Sequence, residues 1–250
     1  MVKLRQYRAI GLGLLLSPVL LVQALYVRLT VPRLPEAPGP RTGVIEGAGA
    51  PLRLLVVGES PIAGVGAASH ADSLAGETAR ALANATGRPV HWRVLGRNGV
   101  SARETRTELV ETATDLEADV AVIGLGVNDT LRFHSPRRWQ RDLARLMDAL
   151  RARCGDIPMV LGAVPPMHLF PALPAPLSTV LGLHSQVLDD AARKLAQVQK
   201  KLIYVPMPPL FDADVTTYFC EDRFHPSPLG CLVWGQALAA AAATPLRGVL

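Results

Sequence analysis

From residue 52 onward the chain alternates between two patterns. Runs in which nearly every position is apolar recur at 53–57, 90–95, 120–125, 159–164 and 202–205. Between them lie longer stretches of mixed apolar and polar residues that read as helices, at 73–86, 102–114, 136–153 and 183–200, with a last one at 229–243. Short continuous apolar runs are the mark of strands buried on both faces. Strands that alternate with helices predict an α/β domain with a parallel sheet covered on both sides. There is no internal repeat.

The first fifty residues follow neither pattern. Residues 9–27 form an apolar run broken only by Ser17, Pro18 and Gln23, with Lys3, Arg5 and Arg8 ahead of it. Nineteen residues come close to the ~20 that span a hydrocarbon core as a helix. Two readings stand open for residues 1–31. A cleaved signal peptide would use Val22-Gln23-Ala24 as its small-residue processing site. An uncleaved anchor would keep the whole run, which its length and Arg28 and Arg33 favour. In both, the basic residues ahead of the run predict a cytoplasmic N-terminus, with the rest of the chain periplasmic or extracellular. Residues 32–51 are rich in Pro, Gly and Ala and read as a linker to a folded domain at 52–250.

Composition changes this picture little. A length of 250 residues suits one α/β domain with an appendage. The net charge of +5 invites a nucleic-acid reading, but five basic residues precede the first acid, Glu36, and the remainder balances at 21 basic and 21 acidic. No phosphate-tracking surface follows from that distribution, and nucleic acid is excluded as a partner. Cys154, Cys220 and Cys231 are odd in number and have no metal-like spacing. Cys220 and Cys231 flank one loop and would bridge it only in an oxidising compartment. The chain lacks GxGxxG and GxxxxGK[ST], and no His/Cys/Asp cluster has metal-ligand spacing, so no cofactor or metal is expected.

In an open parallel sheet the ligand sits outside the carboxyl ends of the strands. The polar residues of interest fall there. Ser60 follows the first run, Asn98-Gly99 the second, Asn128 the third and Pro165-Pro166 the fourth, and Asp222 and His225 lie beyond the fifth. Asp222-Arg223-Phe224-His225 places a carboxylate three residues before an imidazole, as a base and the group that orients it require. Ser60, in Gly58-Glu59-Ser60-Pro61, is the candidate nucleophile. Asn128 offers a side-chain NH₂, and Gly99 an unobstructed backbone N–H, to a developing oxyanion. Taken singly each has a plainer reading: a helix cap for Ser60, turn residues for Asn128 and Gly99, a surface histidine for His225. Five other histidines, at 70, 91, 134, 168 and 184, compete as bases, but none has an acid so suitably spaced after the last strand.

Together these blocks resemble the SGNH (GDSL-type) hydrolases, over about residues 54–234. The four letters fall on Ser60 in GES, Gly99 in NG, Asn128 in GVND and His225 in the DxxH that also holds Asp222. The resemblance implies a three-layer α/β/α, flavodoxin-like fold. It also implies ester hydrolysis through an acyl-enzyme, with Ser60, Gly99 and Asn128 donating to the oxyanion. Two departures stand out: Glu59 replaces the family's Asp, and NGVSA allows the second block to align at Gly99 or be displaced by Ala102, with Gly99 preferred. An acyltransferase on the same fold and an inactive binding protein held at the membrane remain alternatives. The Pro-stiffened segment 165–177 is expected either to wall an acyl or aryl pocket through Met167, Phe170 and Leu173 or to cover the core. The expected partners are an ester (small molecule, lipid or acylated glycan) and a membrane through the N-terminal segment.

Overall fold

A computed structural model describes residues 11–209 and 214–246. The basic residues Lys3, Arg5 and Arg8, and the first two positions of the apolar run, lie outside the described residues. Six strands form one sheet in the order β1-β3-β2-β4-β5-β6. They are β1 (Thr42–Ile45), β2 (Leu52–Gly58), β3 (Val90–Gly96), β4 (Val120–Gly124), β5 (Met159–Gly162) and β6 (Leu202–Val205). The five strands from β2 onward run parallel, as expected from their continuous apolar runs. Side chains alternate across the sheet. Leu55, Val57, Ala121, Ile123 and Leu161 face α5 (Pro136–Cys154) and α6 (Leu177–Val198). Leu54, Val56, Val120, Val122 and Val160 face α2 (Leu74–Thr86) and α7 (Pro228–Ala243). This is a three-layer α/β/α sandwich.

The sheet order sets where chemistry can occur. The chain leaves β2 for β3 on one side and returns to β4 on the other, so a crevice opens at the carboxyl end of β2. The three central strands all end there in glycine, with Gly58 opposite both Gly96 and Gly124. A Cβ on Gly58 would lie 2.0 Å from the Gly124 carbonyl oxygen, and one on Gly96 would lie 2.7 Å from the Ala63 nitrogen. The missing side chains let residues 59–63 fold tightly down onto the strand ends.

Three sequence expectations need correction. Residues 32–51 are more than a linker, because β1 lies among them and pairs antiparallel with β3. That pairing satisfies the outer edge of β3, and Gly43 makes room for Trp92, whose ring would lie 2.4 Å from a Cβ there. The helix expected at 102–114 is a short α-helix α3 (Ala102–Glu104), capped by Ser101 and Glu104, that widens into a π-helical turn at Thr105–Val110. Helix α6 starts six residues before the expected 183. Gly182 and two β-branched residues obscure its first turns in the sequence, yet Gly182 is needed where His168 approaches to within 2.6 Å of a Cβ position.

The segment Pro228–Leu246 is long and apolar enough to cross a membrane, but Cys231, Trp234, Leu238 and Ala242 pack into the core beside α2. It is a core helix. The N-terminal run gives a shorter apolar helix, α1 (Ser17–Thr30).

Candidate active site

Residues from four loops meet at the carboxyl edge. The chain turns after β2, with the Glu59 N–H donating to the Gly124 carbonyl and the Ile62 and Ala63 N–H groups donating to the Glu59 carbonyl. This turn buries Ser60 at the edge of the crevice. Among the described residues the Ser60 amide donates no hydrogen bond, and the Ser60 hydroxyl has no partner.

The Glu59 side chain points into the protein. It accepts from the Val127 N–H at 2.8 Å, from the Asn128 N–H at 2.9 Å and from the Asn128 Nδ2 group. Its carboxylate thus organises the turn that opens α4 (Val127–Leu131), and it aims the Asn128 amide while leaving that nitrogen a second N–H. Burial pushes the Glu59 carboxyl up to about 7, against the opposing pull of these three donors.

A second buried carboxylate braces the same turn. Asp129 accepts from the Ala102 N–H at 3.0 Å and pairs with His134 Nδ1 at 2.7 Å, which ties the block around Gly99 to the block around Asn128. Burial raises its pKa against the His134 and Ala102 hydrogen bonds. Gly99 has φ +82°, a left-handed conformation suited to glycine, and its carbonyl accepts from Arg132 at 2.8 Å. Among the described residues its N–H has no acceptor.

On the far side, Asp222 is buried and accepts from the Phe224 and His225 N–H groups at 3.0 Å each. Its second oxygen lies 2.5 Å from His225 Nδ1. Burial alone would raise the Asp222 pKa. The imidazole and the two N–H groups outweigh it and hold the carboxyl below its ordinary value. The loop is closed by Cys220 N–H to the His225 carbonyl at 2.7 Å, with the Cys220 and Cys231 thiols, both free, beside the Pro226 carbonyl.

Ser60 and His225 line one cavity of about 430 Å³. Its other walls are mainly proline and aromatic, including Pro165, Phe170, Tyr218, Phe219, Phe224 and Trp234. Phe170 makes edge-on contacts with Phe219 and Phe224, and Phe224 with His225. Met167 and Leu173, expected beside Phe170, are buried behind it with Leu177, Val180 and Leu181. The competing histidines are placed elsewhere: His134 on Asp129, His184 stacked on Phe133, His91 exposed on β3, His168 against α6, and His70 buried. Among the described residues no group of three His, Cys, Asp or Glu side chains is placed to hold a metal ion.

Sequence reading missed the work of Glu59 and Asp129. Both stand beside motif residues, Glu59 next to Ser60 and Asp129 next to Asn128, and that adjacency was the only available signal. Their partners are 68 and 27 residues away in sequence.

Asn128→Ala removes one side-chain donor without disturbing Glu59's bonds to the backbone. We expect kcat for an ester to fall by about 10²–10³ with KM little changed. Steady-state kinetics beside circular dichroism will check this, and unaltered kcat would remove Asn128 from oxyanion binding.

Comparisons with known proteins bear on the family and the fold. The sequence profile of the GDSL-like lipase/acylhydrolase family matches residues 56–231. The GDSL-like esterase Rv1075c of Mycobacterium tuberculosis is 27% identical over 227 residues, covering 84% of this chain and 71% of that protein. Among solved structures, a family 3 carbohydrate esterase of Clostridium thermocellum superposes with a TM-score of 0.59 at 15% identity, over 80% of this chain and 99% of its own. A lipase from a goat rumen metagenome gives 0.57 at 20% identity, over 76% and 97%. At such identities these structures speak to the fold alone. The profile match covers most of the folded domain, and the chain therefore belongs to the GDSL-like lipase/acylhydrolase family and is a hydrolase of the esterase type.

Proposed function

We propose that this esterase cleaves carboxylic esters through a covalent acyl-serine intermediate, with Ser60 as nucleophile, His225 as base and Asp222 as the group that orients it. The observation that carries the reading is the Asp222–His225 pair. Asp222 is fixed by two backbone N–H groups and holds Nδ1, so Nε2 is left to exchange protons, and the imidazole lines the same cavity as Ser60. The Ser60 oxygen attacks the ester carbonyl as His225 takes its proton, and the carbonyl oxygen becomes an anion. The amides of Ser60 and Gly99 and the second Nδ2–H of Asn128 are the free donors for it. Collapse expels the alcohol, which receives the proton from His225. Water, deprotonated by His225, then attacks the acyl-serine and releases the acid.

The test is labelling by a fluorophosphonate that reacts with activated serines. Wild-type protein should be labelled and Ser60→Ala should not, with ester turnover lost in parallel. Labelling that survives in folded Ser60→Ala would overturn the assignment.

The apolar walls favour an acyl or aryl group larger than acetyl on the Ser60 side. Phe170→Ala should widen this space and shift the preferred p-nitrophenyl ester toward longer or bulkier acyl chains, seen as a several-fold change in the ratio of kcat/KM values. Leu173→Ala should lower stability and leave that ratio unchanged, because Leu173 lies behind the wall. An unaltered chain-length profile in Phe170→Ala would assign the acyl group to another surface.

For location, the reading is an enzyme held at a membrane with its catalytic domain outside the cytoplasm. The support is the apolar N-terminal run and the basic residues Lys3, Arg5 and Arg8 before it.

A further inference from the structure

Residues 34–41 come before β1 and belong to none of the four blocks that carry the site, yet they lie against the loops that follow β2 and β3. The Ala37 N–H donates to the Ala63 carbonyl at 3.2 Å, and the Gly66 N–H donates to the Pro35 carbonyl at 3.0 Å. Ala37 is buried there, and a Cβ on Gly64 would lie 2.6 Å from the Ala37 Cβ. The segment is fitted to the loop that carries Ser60. Two charged side chains reach further, to the loop after β3. Glu36 Oε1 accepts from the Asn98 N–H at 2.7 Å, and Oε2 pairs with Arg41 Nη2 at 2.7 Å. Arg41 is itself fixed to β3: its Nη1 donates to the Gly96 carbonyl, and its own carbonyl accepts from the Val94 N–H at 2.8 Å. Glu36 is thus anchored through one oxygen and holds the Asn98-Gly99 turn through the other.

That turn is held from a second point. Arg132 donates to the Gly99 carbonyl at 2.8 Å and pairs with Glu104 at 2.7 Å. The Gly99 N–H lies between the two holds, one on the N–H of the residue before it and one on its own carbonyl. Glycine has more backbone freedom than any other residue, so an N–H at this position has no fixed direction unless its neighbours supply one. A donor to a developing oxyanion is effective only when its direction is set before the charge forms. The Glu36–Arg41 pair has little other use. Its side chains are 28% and 44% exposed, and ion pairs open to solvent add little to stability. Asn98 is exposed too, so water would satisfy its N–H if Glu36 were absent, without aiming it.

We propose that Glu36 is a positioning residue for the Gly99 oxyanion donor, and that the catalytic unit therefore includes residues 34–41 ahead of the sheet. Glu36 touches no reacting atom and acts through the Asn98 N–H. The inference rests on the serine mechanism proposed above, in which the Gly99 amide receives the oxyanion.

The test compares Glu36→Ala and Glu36→Gln in the full chain, with p-nitrophenyl butyrate as substrate. Glu36→Ala should lower kcat about tenfold with KM little changed, because a misaimed donor weakens the transition state and not the bound ester. Glu36→Gln keeps an oxygen that can accept from the Asn98 N–H, so it should recover most of the loss although the charge is gone. A butylboronic acid, which forms a tetrahedral anion on an activated serine, should bind Glu36→Ala about tenfold more weakly than wild type. Butyrate, which forms no such adduct, should inhibit both alike. Wild-type kcat in Glu36→Ala, a rise in KM alone, or equal losses in the two variants would each overturn the role. Loss of the fold in Glu36→Ala, seen by circular dichroism, would make Glu36 a structural prop and sink the proposal as well. Fluorophosphonate labelling tells the two levels apart. If wild type is labelled at Ser60 and Glu36→Ala is fully active, positioning alone fails; if labelling persists in Ser60→Ala, the serine mechanism falls and the role of Glu36 with it.

Discussion

Asp222→Asn should lower kcat for ester hydrolysis by about 10⁴ while the protein stays folded. The carboxylate does two things that an amide cannot. It accepts the Nδ1 proton of His225 and so fixes the tautomer whose Nε2 can take a proton from Ser60. It also stabilises the imidazolium once that proton arrives. Asn keeps the shape, and its oxygen still accepts from the Phe224 and His225 N–H groups, so the loop should hold. What faces Nδ1 becomes an NH₂ donor, which selects the wrong tautomer. Ser60→Ala and His225→Ala should each cost at least as much. The double variant should cost little more than either alone, because the two side chains act as one unit. Single-turnover and steady-state kinetics on the four variants, with circular dichroism as the folding control, will decide it. Near wild-type rates in folded Asp222→Asn would move the base to another histidine.

Glu59→Ala is expected to damage both stability and activity. It removes the acceptor of the Val127 and Asn128 backbone N–H groups and of the Asn128 amide, all at the buried turn that opens α4. Each buried donor left unsatisfied costs about 1–3 kcal/mol, so a loss of several kcal/mol is expected in urea denaturation. With the Asn128 amide no longer aimed, kcat should also fall by about 10²–10³. Glu59→Gln isolates the charge. The Glu59 carboxyl rises to about 7 in the folded chain, from roughly 4.3 when unfolded. Between those values the unfolded chain gives up a proton that the folded chain keeps, so stability should decline as pH rises through this window. The Gln variant should lack that decline. Asp222 acts in the opposite sense: its pKa is lowered on folding, so its contribution is full above the ordinary aspartate range and is lost as the pH falls through it. If Glu59→Ala unfolds at the wild-type urea midpoint, the Val127 and Asn128 donors have found other acceptors.

The parallel strands and most helices were legible in the sequence because burial on both faces leaves an unbroken apolar run, a local property. The catalytic candidates were legible for a related reason. In this topology functional residues follow strands, so position along the chain predicts position at one edge. Elements fixed by distant partners were not legible. Thr42–Ile45 has no strong strand pattern and becomes β1 because β3 offers it an unpaired edge. The first turns of α6 contain a glycine that disfavours a helix locally, and their apolar residues Leu177, Val180 and Leu181 are buried with Met167 and Phe170 from the preceding loop.

The same division runs through the site. The sequence alone pointed to the side chains proposed to carry the chemistry, since a Ser, an Asp and a His at those positions have few other reasons to stand together. It determined nothing of how they are held. Glu59 read as a small departure beside the nucleophile and is the acceptor on which the Asn128 turn is built. Asp129 was only the last letter of the GVND block and is the brace between two loops. Phe170, Met167 and Leu173 read as one apolar group, and only Phe170 meets the cavity. Buried hydrogen bonds and pocket walls are made between residues far apart in the chain, and their energies depend on exclusion of water, which exists only once the layers have closed.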